Sequence, residues 1–373
     1  MPEPAYPPAT AAANIAAEFF ASRPPQASIA GSAMSCVPSR EMVAAAVDAA
    51  FWASLRPEEG RPPRVSLALV PAESAGQPMP FERSIPLGAD ALARLAPAVE
   101  GPGIHLGVWG DHGALRVWGA VRVLPEFCLV VEVIEPGLLV LKHRRGEGEK
   151  FGNIAVLRGD EIRVLDEGDG SMPGRPALLG ALLGTDTLVP WEDGGGMLTQ
   201  LAVAMRRHRH GASLLVVPSG TATWRESIVR PAAYAIEPAF TVLAELLERK
   251  DHEEVDDEIR ALADSIAGLT AVDGAAILTQ RFELLAFGAT IRRRDGYASV
   301  DQVLVTEPVV GNVPARSAAT ELGGTRHLSA AQFIHDQQDA VAFVASQDGR
   351  FTVFAWSPCE DMVHAHRVET LLL

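Results

Sequence analysis

Glycine, threonine, arginine and histidine stand together in "ELGGTRHLSA" (321–330), and these residue types in this order could bind an anion. A glycine turn that leads into a helix presents free backbone N–H groups to a negatively charged ligand. Arg326 adds a planar guanidinium that can hold two phosphate oxygens, and His327 could donate to a phosphate or ligate a metal ion. The same residues also fit a plainer interpretation, in which one helix ends, another begins at the glycines, and the Arg-His pair is exposed.

Hydroxyl and carboxylate side chains could complete such a site. Thr325 and Ser329 share a face if the segment is helical, because they stand four residues apart. Upstream, Asp273 precedes the small residues Gly274 and Ala275 in "VDGAAIL", so a ligand could lie against the backbone there. A carboxylate at that position can hold a divalent metal ion or accept a proton from a hydroxyl group. The alternative is an Asx turn before an ordinary strand.

A serine before a turn completes the pattern. Ser346 stands in "ASQDG" (345–349), which by itself indicates no more than a hairpin turn. Taken in order, Asp-Gly-Ala on a hairpin strand, Gly-Thr-Arg-His at a helix start and this serine resemble the catalytic domain of the DisA-type diadenylate cyclases. "GASLLVVPSG" upstream fits the same pattern, and the resemblance covers residues 196–357.

This resemblance implies an activity and a role for each residue. Cyclases of this family join two ATP molecules into cyclic di-AMP and release two pyrophosphates, with one ATP on each of two facing protomers. The implied partners are therefore ATP and a second copy of the chain, in a homodimer or a higher homo-oligomer. The implied cofactor is Mg²⁺ or Mn²⁺, held by Asp273 and His327. The implied catalytic residues are Asp273, Arg326 and His327. The implied nucleotide-binding residues are Gly274, Ala275, Gly288, Gly324, Thr325, Arg326, Ser329 and Ser346.

Three departures from the family pattern bear on turnover. Leu328 stands where the family often has a second arginine, so one positive charge near the triphosphate would be missing. Gln347 and Asp348 follow the serine where the family often has acidic residues, and Ala271-Val272 replaces a common leucine–histidine pair. These differences keep open a second hypothesis, a catalytically weak or inactive nucleotide-binding regulator of the same fold.

Other charged motifs have a functional and a plain interpretation. Arg292–Arg294 could supply the missing positive charge, or they could form a solvated turn. "MRRHRHG" (205–211) could bind an anion, but a solvated helix end explains it as well. "HAHR" (364–367) offers two histidines without a third metal ligand nearby, which favours a frayed tail. The chain contains no P-loop motif and no hydrolase nucleophile elbow.

The N-terminal half resembles a different family. The stretches "FWASLRPEEGRPPRVSLAL", "LARLAPAVE", "LRVWGAV" and "VEVIEPGLLVL" are similar to the sensor domain called DACNV, which lies N-terminal to such cyclases. The likeness spans residues 14–167 and implies a sensor whose ligand the sequence does not name. It also leaves a third hypothesis, in which the chain is a protein-interaction module and this domain is its functional part.

Hydrophobic periodicity predicts the elements that would position these residues. Residues 30–166 predict one α+β domain with a mostly antiparallel sheet and a helix over Arg40–Leu55. From residue 196 helices interleave with strands, which predicts an α/β domain with a mixed central sheet flanked by helices. Within this domain, helices are predicted over 236–269 and on both sides of the glycine turn in 315–337.

The predicted domain organisation has five parts. They are a disordered lead (1–13), the sensor domain (14–167), a linker (168–195), the cyclase-like domain (196–357) and a C-terminal tail (358–373).

The composition of the chain indicates which cellular compartment and which kinds of partner to expect. The 373 residues carry a net charge of −15, which argues against a chain-wide footprint for nucleic acid. Most positive charge is arginine, which suits phosphate binding but also follows from genome base composition. Three widely spaced cysteines argue against a disulfide scaffold or a structural zinc site. With no signal peptide and no apolar span in the sequence, we expect a cytoplasmic protein that makes no membrane contact.

Overall fold

The computed structural model describes residues 4–22, 37–57, 60–100, 103–110, 115–144, 151–165, 194–230, 232, 234–248 and 253–373, with the backbone alone at 194–195 and 253–256. The chain divides into two compact units, one of Met1–Leu165 and one of Asp166–Leu372. The predicted linker at 168–195 falls almost wholly outside the described residues. No helix in the described ranges has the length and the apolar character that a membrane span needs.

The described residues of the first unit form an eight-stranded sheet and three α-helices. The helices are α1 (Pro8–Ser22), α2 (Arg40–Ser54) and α3 (Ala89–Leu95). The strands are β1 (Ser66–Leu69), β2 (Gly76–Pro86), β3 (His105–Trp109), β4 (Arg116–Val123), β5 (Leu129–Glu135), β6 (Leu138–Arg144), β7 (Phe151–Arg158) and β8 (Glu161–Val164). Their order in the sheet is β2-β4-β3-β1-β5-β6-β7-β8. β1 and β3 are parallel and the other neighbours are antiparallel, which is the arrangement that the alternating pattern predicts.

The chain start differs from the expected disordered lead. Residues from Pro8 onward form α1, and its alanines at positions 9, 12, 13 and 16 are buried. This spacing matches one face of a helix. Tyr6 is also buried, stacks on Phe51 of α2 and donates its hydroxyl to the carbonyl of Gly159. The buried face of this helix consists of small side chains. By composition alone, such a segment resembles low-complexity sequence.

The second unit is a nine-stranded mixed sheet. The strands are β9 (Ala212–Val217), β10 (Tyr234–Phe240), β11 (Ala275–Thr279), β12 (Leu284–Ala289), β13 (Gln302–Thr306), β14 (Ala315–Ala318), β15 (Val341–Ala345), β16 (Phe351–Ser357) and β17 (Met362–Arg367). The helices are α4 (Gly194–Arg207), α5 (Val242–Glu248), α6 (Glu253–Thr270) and α7 (Thr325–Asp336). The sheet order is β10-β12-β11-β9-β15-β16-β17-β13-β14, with β9–β11 and β13–β17 parallel.

Helices cover both faces of this sheet, as the predicted α/β architecture requires. One hydrophobic cluster joins α4, α5 and α6 to residues such as Leu214 and Phe343 on one face. A second cluster joins Phe333 and Ile334 of α7 to Leu215 and Phe354 on the other face. Strands buried on both faces read as continuous apolar runs, which explains why "SLLVV" was recognisable as a strand from its letters.

Three predictions for the second unit are wrong in whole or in part, although the helices expected over 236–269 are confirmed from Val242 onward as α5 and α6. β10 occupies the start of the segment expected to be helical over 236–269, and β14 with a short 3₁₀ turn replaces the helix expected before the glycines. Both are edge strands with largely exposed residues, so neither shows the alternation that identifies a strand. The expected tail at 358–373 contains β17, which lies between β16 and β13. His364 and His366 are buried in that strand rather than frayed.

Candidate functional site

Three of the predicted motifs meet at one edge of the second sheet. Parallel strands β9 and β11 begin at the edge where antiparallel β15 ends. Ala345 is opposite Ala212, and Ala276 is level with Leu214. Continuing this register past the strand ends brings three residues level across adjacent strands, and these are Asp273, Gly211 and Ser346. The topology therefore gathers residues that are far apart along the chain.

Arg326 reaches this edge from the start of α7. Its Nη2 lies 3.8 Å from Oδ1 of Asp273, whose side chain is fully exposed. A Cβ atom at Gly211 would lie 2.7 Å from Nη1, so the guanidinium rests against the bare α-carbon of that glycine. The Nε atom is buried and has no hydrogen-bond partner in the part of the chain that the structure describes. The arginine thus keeps hydrogen-bonding capacity that a ligand could use.

The first turn of α7 offers further donors beside Arg326. Gly324 is the N-cap residue, and no side chain caps the helix. The Gly324 carbonyl accepts from the N–H groups of His327 and Leu328, whereas the N–H groups of Thr325 and Arg326 have no backbone acceptor among the described residues. Free donors at a helix start, together with the helix dipole, favour an anion. Thr325 is exposed and adds its hydroxyl to this set.

Ser329 and Ser346 complete the hydroxyl groups that the sequence singled out. Both are half-buried, and Ser329 lies one turn after Thr325 on α7. Ser346 closes the turn between β15 and β16, because its N–H donates to the Arg350 carbonyl at 2.9 Å. The backbone of Ser346 is therefore fixed, and its position at the shared edge follows from the sheet register.

His327 faces the protein interior and not the exposed edge. It is 4% exposed, and its ring lies edge-on to Phe354 of β16 with centroids 6.1 Å apart. A Cβ atom at Gly323 would lie 2.8 Å from its Nδ1, so that glycine makes room for the ring. Burial is the largest cause acting on the pKa of His327, and it lowers that pKa. The charge of Asp348 raises the pKa, and the charges of nearby arginines lower it. A neutral, buried ring suits a role in positioning the glycine turn. The metal-binding and catalytic roles predicted for His327 stay predictions.

Next to Asp273, the backbones of Gly274 and Gly288 are in close contact. Their φ angles are 104° and 61°, which glycine adopts far more readily than other residues. A Cβ at Gly274 would lie 2.6 Å from the Gly288 carbonyl carbon, and one at Gly288 would lie 2.8 Å from the ring of Tyr234. Ala275, the next residue, is buried in β11. The predicted nucleotide-binding glycines therefore bring β11, β12 and β10 together.

Tyr234 and Gly211 were not identified as site residues from the sequence. Tyr234 is 52% exposed and stacks on Phe287 with ring centroids 4.7 Å apart. An exposed aromatic ring beside a pair of glycines offers a flat apolar surface to a base. Its only signal in the sequence is an isolated aromatic among small residues. Gly211 belongs to the quoted "GASLLVVPSG", but its contact with Arg326 depends on the tertiary fold.

The guanidinium groups of the basic turn after β12 contact other residues of the fold. Leu328 is partly exposed on α7. Arg292 pairs with Asp295, and Arg293 donates to Ser299. Arg294 pairs with Glu226 and stacks on a tyrosine ring. These guanidinium groups are used by the fold, which favours the plain interpretation of that turn.

Asp273 offers an exposed carboxylate beside Arg326 for the implied Mg²⁺ or Mn²⁺. Within the described ranges, no group of three or more histidine, cysteine, aspartate or glutamate side chains could hold a metal ion. Mg²⁺ in nucleotide sites is commonly held by one or two carboxylates together with phosphate oxygens. The exposed Asp273 fits that mode of binding. His327 is buried against Gly323 and Phe354, and its role as a metal ligand stays a prediction.

Comparison with known proteins identifies a similarity in the first unit. Residues 32–122 match the model of a family described as the probable sensor domain DACNV. No curated protein matches the chain. Among solved structures, the chain is similar to a hypothetical membrane spanning protein from Bacillus cereus, with 16% identity and a TM-score of 0.28 over 48% of this chain and 65% of that one. It is also similar to a double mutant of DacA from Staphylococcus aureus, with 15% identity and a TM-score of 0.24 over 46% of this chain and 83% of that one.

Proposed function

We propose that the chain is a diadenylate cyclase that condenses two ATP molecules into cyclic di-AMP and two pyrophosphates, with the first unit as its sensor. The observation that carries the proposal is the meeting of Arg326 with Asp273 at the edge where Ser346 also lies. The match of residues 32–122 to the probable sensor domain DACNV supports it, because the resemblance noted in the sequence implies that such domains lie N-terminal to these cyclases. A cytoplasmic location, where ATP is available, is part of this proposal.

Arg326 and the start of α7 would hold the triphosphate. The free N–H groups of Thr325 and Arg326 carry partial positive charge, and the guanidinium adds a full one. The exposed Thr325 hydroxyl and the Ser346 side chain would donate to the outer phosphates. Tyr234 would stack on the adenine, and the Gly274–Gly288 contact would let the nucleotide lie close to the backbone.

Asp273 would act on the attacking hydroxyl. The 3′-oxygen of one ATP forms a bond to the α-phosphorus of the other, the bond from that phosphorus to the pyrophosphate oxygen breaks, and pyrophosphate leaves. Asp273 accepts the proton of the 3′-hydroxyl. When Mg²⁺ or Mn²⁺ is bound, it offsets phosphate charge, and Asp273 would be one of its ligands. The second bond forms in the same way with the roles of the two ATP molecules exchanged, which requires two facing protomers.

Leu328 favours a second candidate, a nucleotide-binding regulator with little or no turnover. A leucine stands where a second arginine is expected, and Arg292–Arg294 are engaged in contacts within the fold. Less charge stabilisation of the leaving pyrophosphate would slow the reaction more than it would weaken ATP binding.

One experiment separates the two candidates. The purified full chain is incubated with ATP and Mn²⁺, or with ATP and Mg²⁺, and the products are identified by mass spectrometry, while ATP binding is measured by calorimetry. Cyclic di-AMP with pyrophosphate supports the cyclase. ATP binding without product supports the regulator. The absence of both would refute the proposal and favour an interaction module.

A further inference from the structure

A row of polar side chains crosses three neighbouring strands at one end of the first sheet. Ser66 begins β1 and is directly opposite Glu132 of β5. β1 runs parallel to β3 with Leu67 level with Leu106, so His105 is level with Ser66 on the other side. Residues at level positions point to the same face of a sheet. Ser66, His105 and Glu132 therefore stand side by side.

The row is held by contacts that bury polar groups. Oγ of Ser66 and Nδ1 of His105 are 2.7 Å apart, and both residues are buried. Nζ of Lys142 on β6 is 2.6 Å from Oε2 of Glu132, although the lysine side chain is only 13% exposed. Burial lowers the pKa of His105, which keeps the imidazole neutral at neutral pH. A buried polar row is weak evidence for stability, and polar groups that converge in a cleft are candidates for ligand recognition.

The row opens into a cleft at the sheet end where β1 and β3 begin and β5 ends, called here the sheet-end cleft. Its volume is about 200 Å³. This volume lies below the roughly 300–1,000 Å³ of pockets that enclose drug-sized ligands, so the cleft suits a small molecule. Besides the polar row, the cleft is lined by the charged Arg64 and Glu100 and by the apolar Val99, Ile104 and Ile134.

The charges of the cleft have both signs and come from separate segments. Arg64 precedes β1 and Glu100 precedes β3, and neither has an ion-pair partner among the described side chains. An anion would pair with Arg64 but would be repelled by the carboxylates. A cation would pair with a carboxylate but would be repelled by Arg64. A ligand that carries a carboxylate and an ammonium group matches both, and the apolar residues can hold a short aliphatic chain.

We propose that the sheet-end cleft binds a small aliphatic zwitterion of the free α-amino acid class, with its carboxylate at Arg64 and its ammonium group at Glu132. In a unit that matches a sensor family, this ligand is the input to the second unit. The binding step needs no nucleotide, so its test is independent of the cyclase activity.

L-valine and its two truncated analogues test the ligand class. Each is titrated into the full chain in a calorimeter without ATP. Isovalerate lacks the ammonium group and isobutylamine lacks the carboxylate, while both keep the branched chain. We expect saturable binding of L-valine and binding about tenfold weaker, or weaker still, for each analogue, because each leaves one charged group unmatched. No saturable binding of L-valine would overturn the proposal, as would an analogue that binds equally well, since that result indicates a site for a simple ion.

Two substitutions test the location. Arg64→Gln and Glu132→Gln should each weaken L-valine binding about tenfold or more, and Arg122→Gln on the exposed side of β4 should leave it unchanged. Glu132→Gln removes the partner of Lys142, so thermal unfolding is measured for every variant. If that variant unfolds, Arg64→Gln at the exposed rim decides the result. Wild-type affinity in Arg64→Gln would place the L-valine site elsewhere and refute the proposal.

Discussion

At the scale of single residues, the candidate site depends on one arginine held between a carboxylate and a bare α-carbon. Arg326 is 3.8 Å from Asp273, a separation at which a partly exposed pair contributes little stability. Replacement of that weak contact by phosphate oxygens costs little. The buried, unpartnered Nε adds a donor that is already free of water. The arrangement therefore favours ligand binding over folding stability.

Arg326→Ala should weaken ATP binding by about 1.5–3 kcal/mol, because one charge-assisted hydrogen-bonding group is lost. Calorimetry with the full chain measures the change. Arg316→Ala, which removes an exposed arginine from β14, is the matched control and should bind ATP as the wild type does. Equal affinity in Arg326→Ala and the control would rule out the phosphate contact.

Gly211→Ala should displace the guanidinium without unfolding the protein. The new Cβ would lie 2.7 Å from Nη1, which is the far end of a flexible side chain and can move. We expect ATP affinity to fall about tenfold while the melting temperature changes little. Gly268→Ala in α6 is the control, because a Cβ there meets nothing within 4 Å. A large loss of melting temperature in Gly211→Ala would show instead that the glycine serves the fold.

Asp273→Asn should reduce product formation at least about 100-fold if the carboxylate accepts the proton of the attacking hydroxyl. Because the side chain is fully exposed and adds negative charge near the phosphates, ATP affinity without divalent cation should stay the same or rise slightly. Product is quantified by mass spectrometry and affinity by calorimetry, with Asp301→Asn as an exposed carboxylate control. Normal turnover in Asp273→Asn would mean that the role assigned to this residue is wrong.

At the scale of elements, β17 places two histidines in the interior of the second sheet. His366 contacts Thr306 of β13 at 2.6 Å through Nδ1, and its ring centroid is 5.5 Å from that of His364. Burial, with a smaller contribution from His364, lowers the pKa of His366 to about 3. A histidine held neutral in the folded state takes up a proton on unfolding once the pH falls below its ordinary pKa.

This strand should make the second unit sensitive to acid between about pH 6.5 and pH 3. The folded pKa lies below the unfolded one, so stability is complete above the unfolded pKa and is lost as the pH falls through this window. At pH 5 the loss from His366 is about 2 kcal/mol, from 1.5 pH units at about 1.36 kcal/mol each.

Urea unfolding at pH 7 and pH 5 measures this loss. His366→Gln should show a smaller difference between the two pH values than the wild type does. The exposed His210→Gln should behave as the wild type. If His366→Gln loses as much stability as the wild type on acidification, other groups cause the acid sensitivity.

Strands with buried apolar residues were predictable from the sequence, and exposed edge strands were not. Apolar runs between turn residues identify four strands in the sequence, which are β11, β12, β15 and β16. Edge strands β10 and β14 lack such runs because water covers much of their surface. β17 was missed for another reason, since polar histidines fill positions that usually hold aliphatic residues.

The same limit applies to the candidate site. The order of the Asp-Gly-Ala, Gly-Thr-Arg-His and serine motifs indicated that they act together, and the sheet register brings Asp273, Arg326 and Ser346 to one edge. The direction of the His327 ring and the contact of Gly211 depend on how α7 packs on the sheet. No local pattern encodes that packing.

At the scale of the whole molecule, the proposed reaction requires two copies of the chain. Each protomer presents one candidate site, in which the exposed carboxylate of Asp273 lies beside Arg326. Two hydroxyl attacks on two α-phosphates need two such sites to face each other. A chain with net charge −15 repels its own copies, so the facing arrangement depends on local contacts and on concentration.

Specific activity should therefore rise with protein concentration and level off once dimers predominate. The rate of cyclic di-AMP formation per mole of protein is measured across a dilution series. Adding excess Asp273→Asn protein should lower wild-type activity, because mixed pairs bind ATP but complete at most one of the two bonds. A specific activity independent of dilution, together with no inhibition by the variant, would contradict a reaction shared between protomers.

The position of β17 between β16 and β13 has a consequence for how the protein is made. Ribosomes release the chain from its N-terminus onward. Asp273, Arg326 and Ser346 therefore emerge before residues 362–367, and the hairpin of β13 and β14 has no sheet to join until that strand appears. During this interval the nascent chain exposes two unpaired strand edges, one on β16 and one on β13. Translational pausing before β17 would leave an intermediate prone to self-association on the polysome.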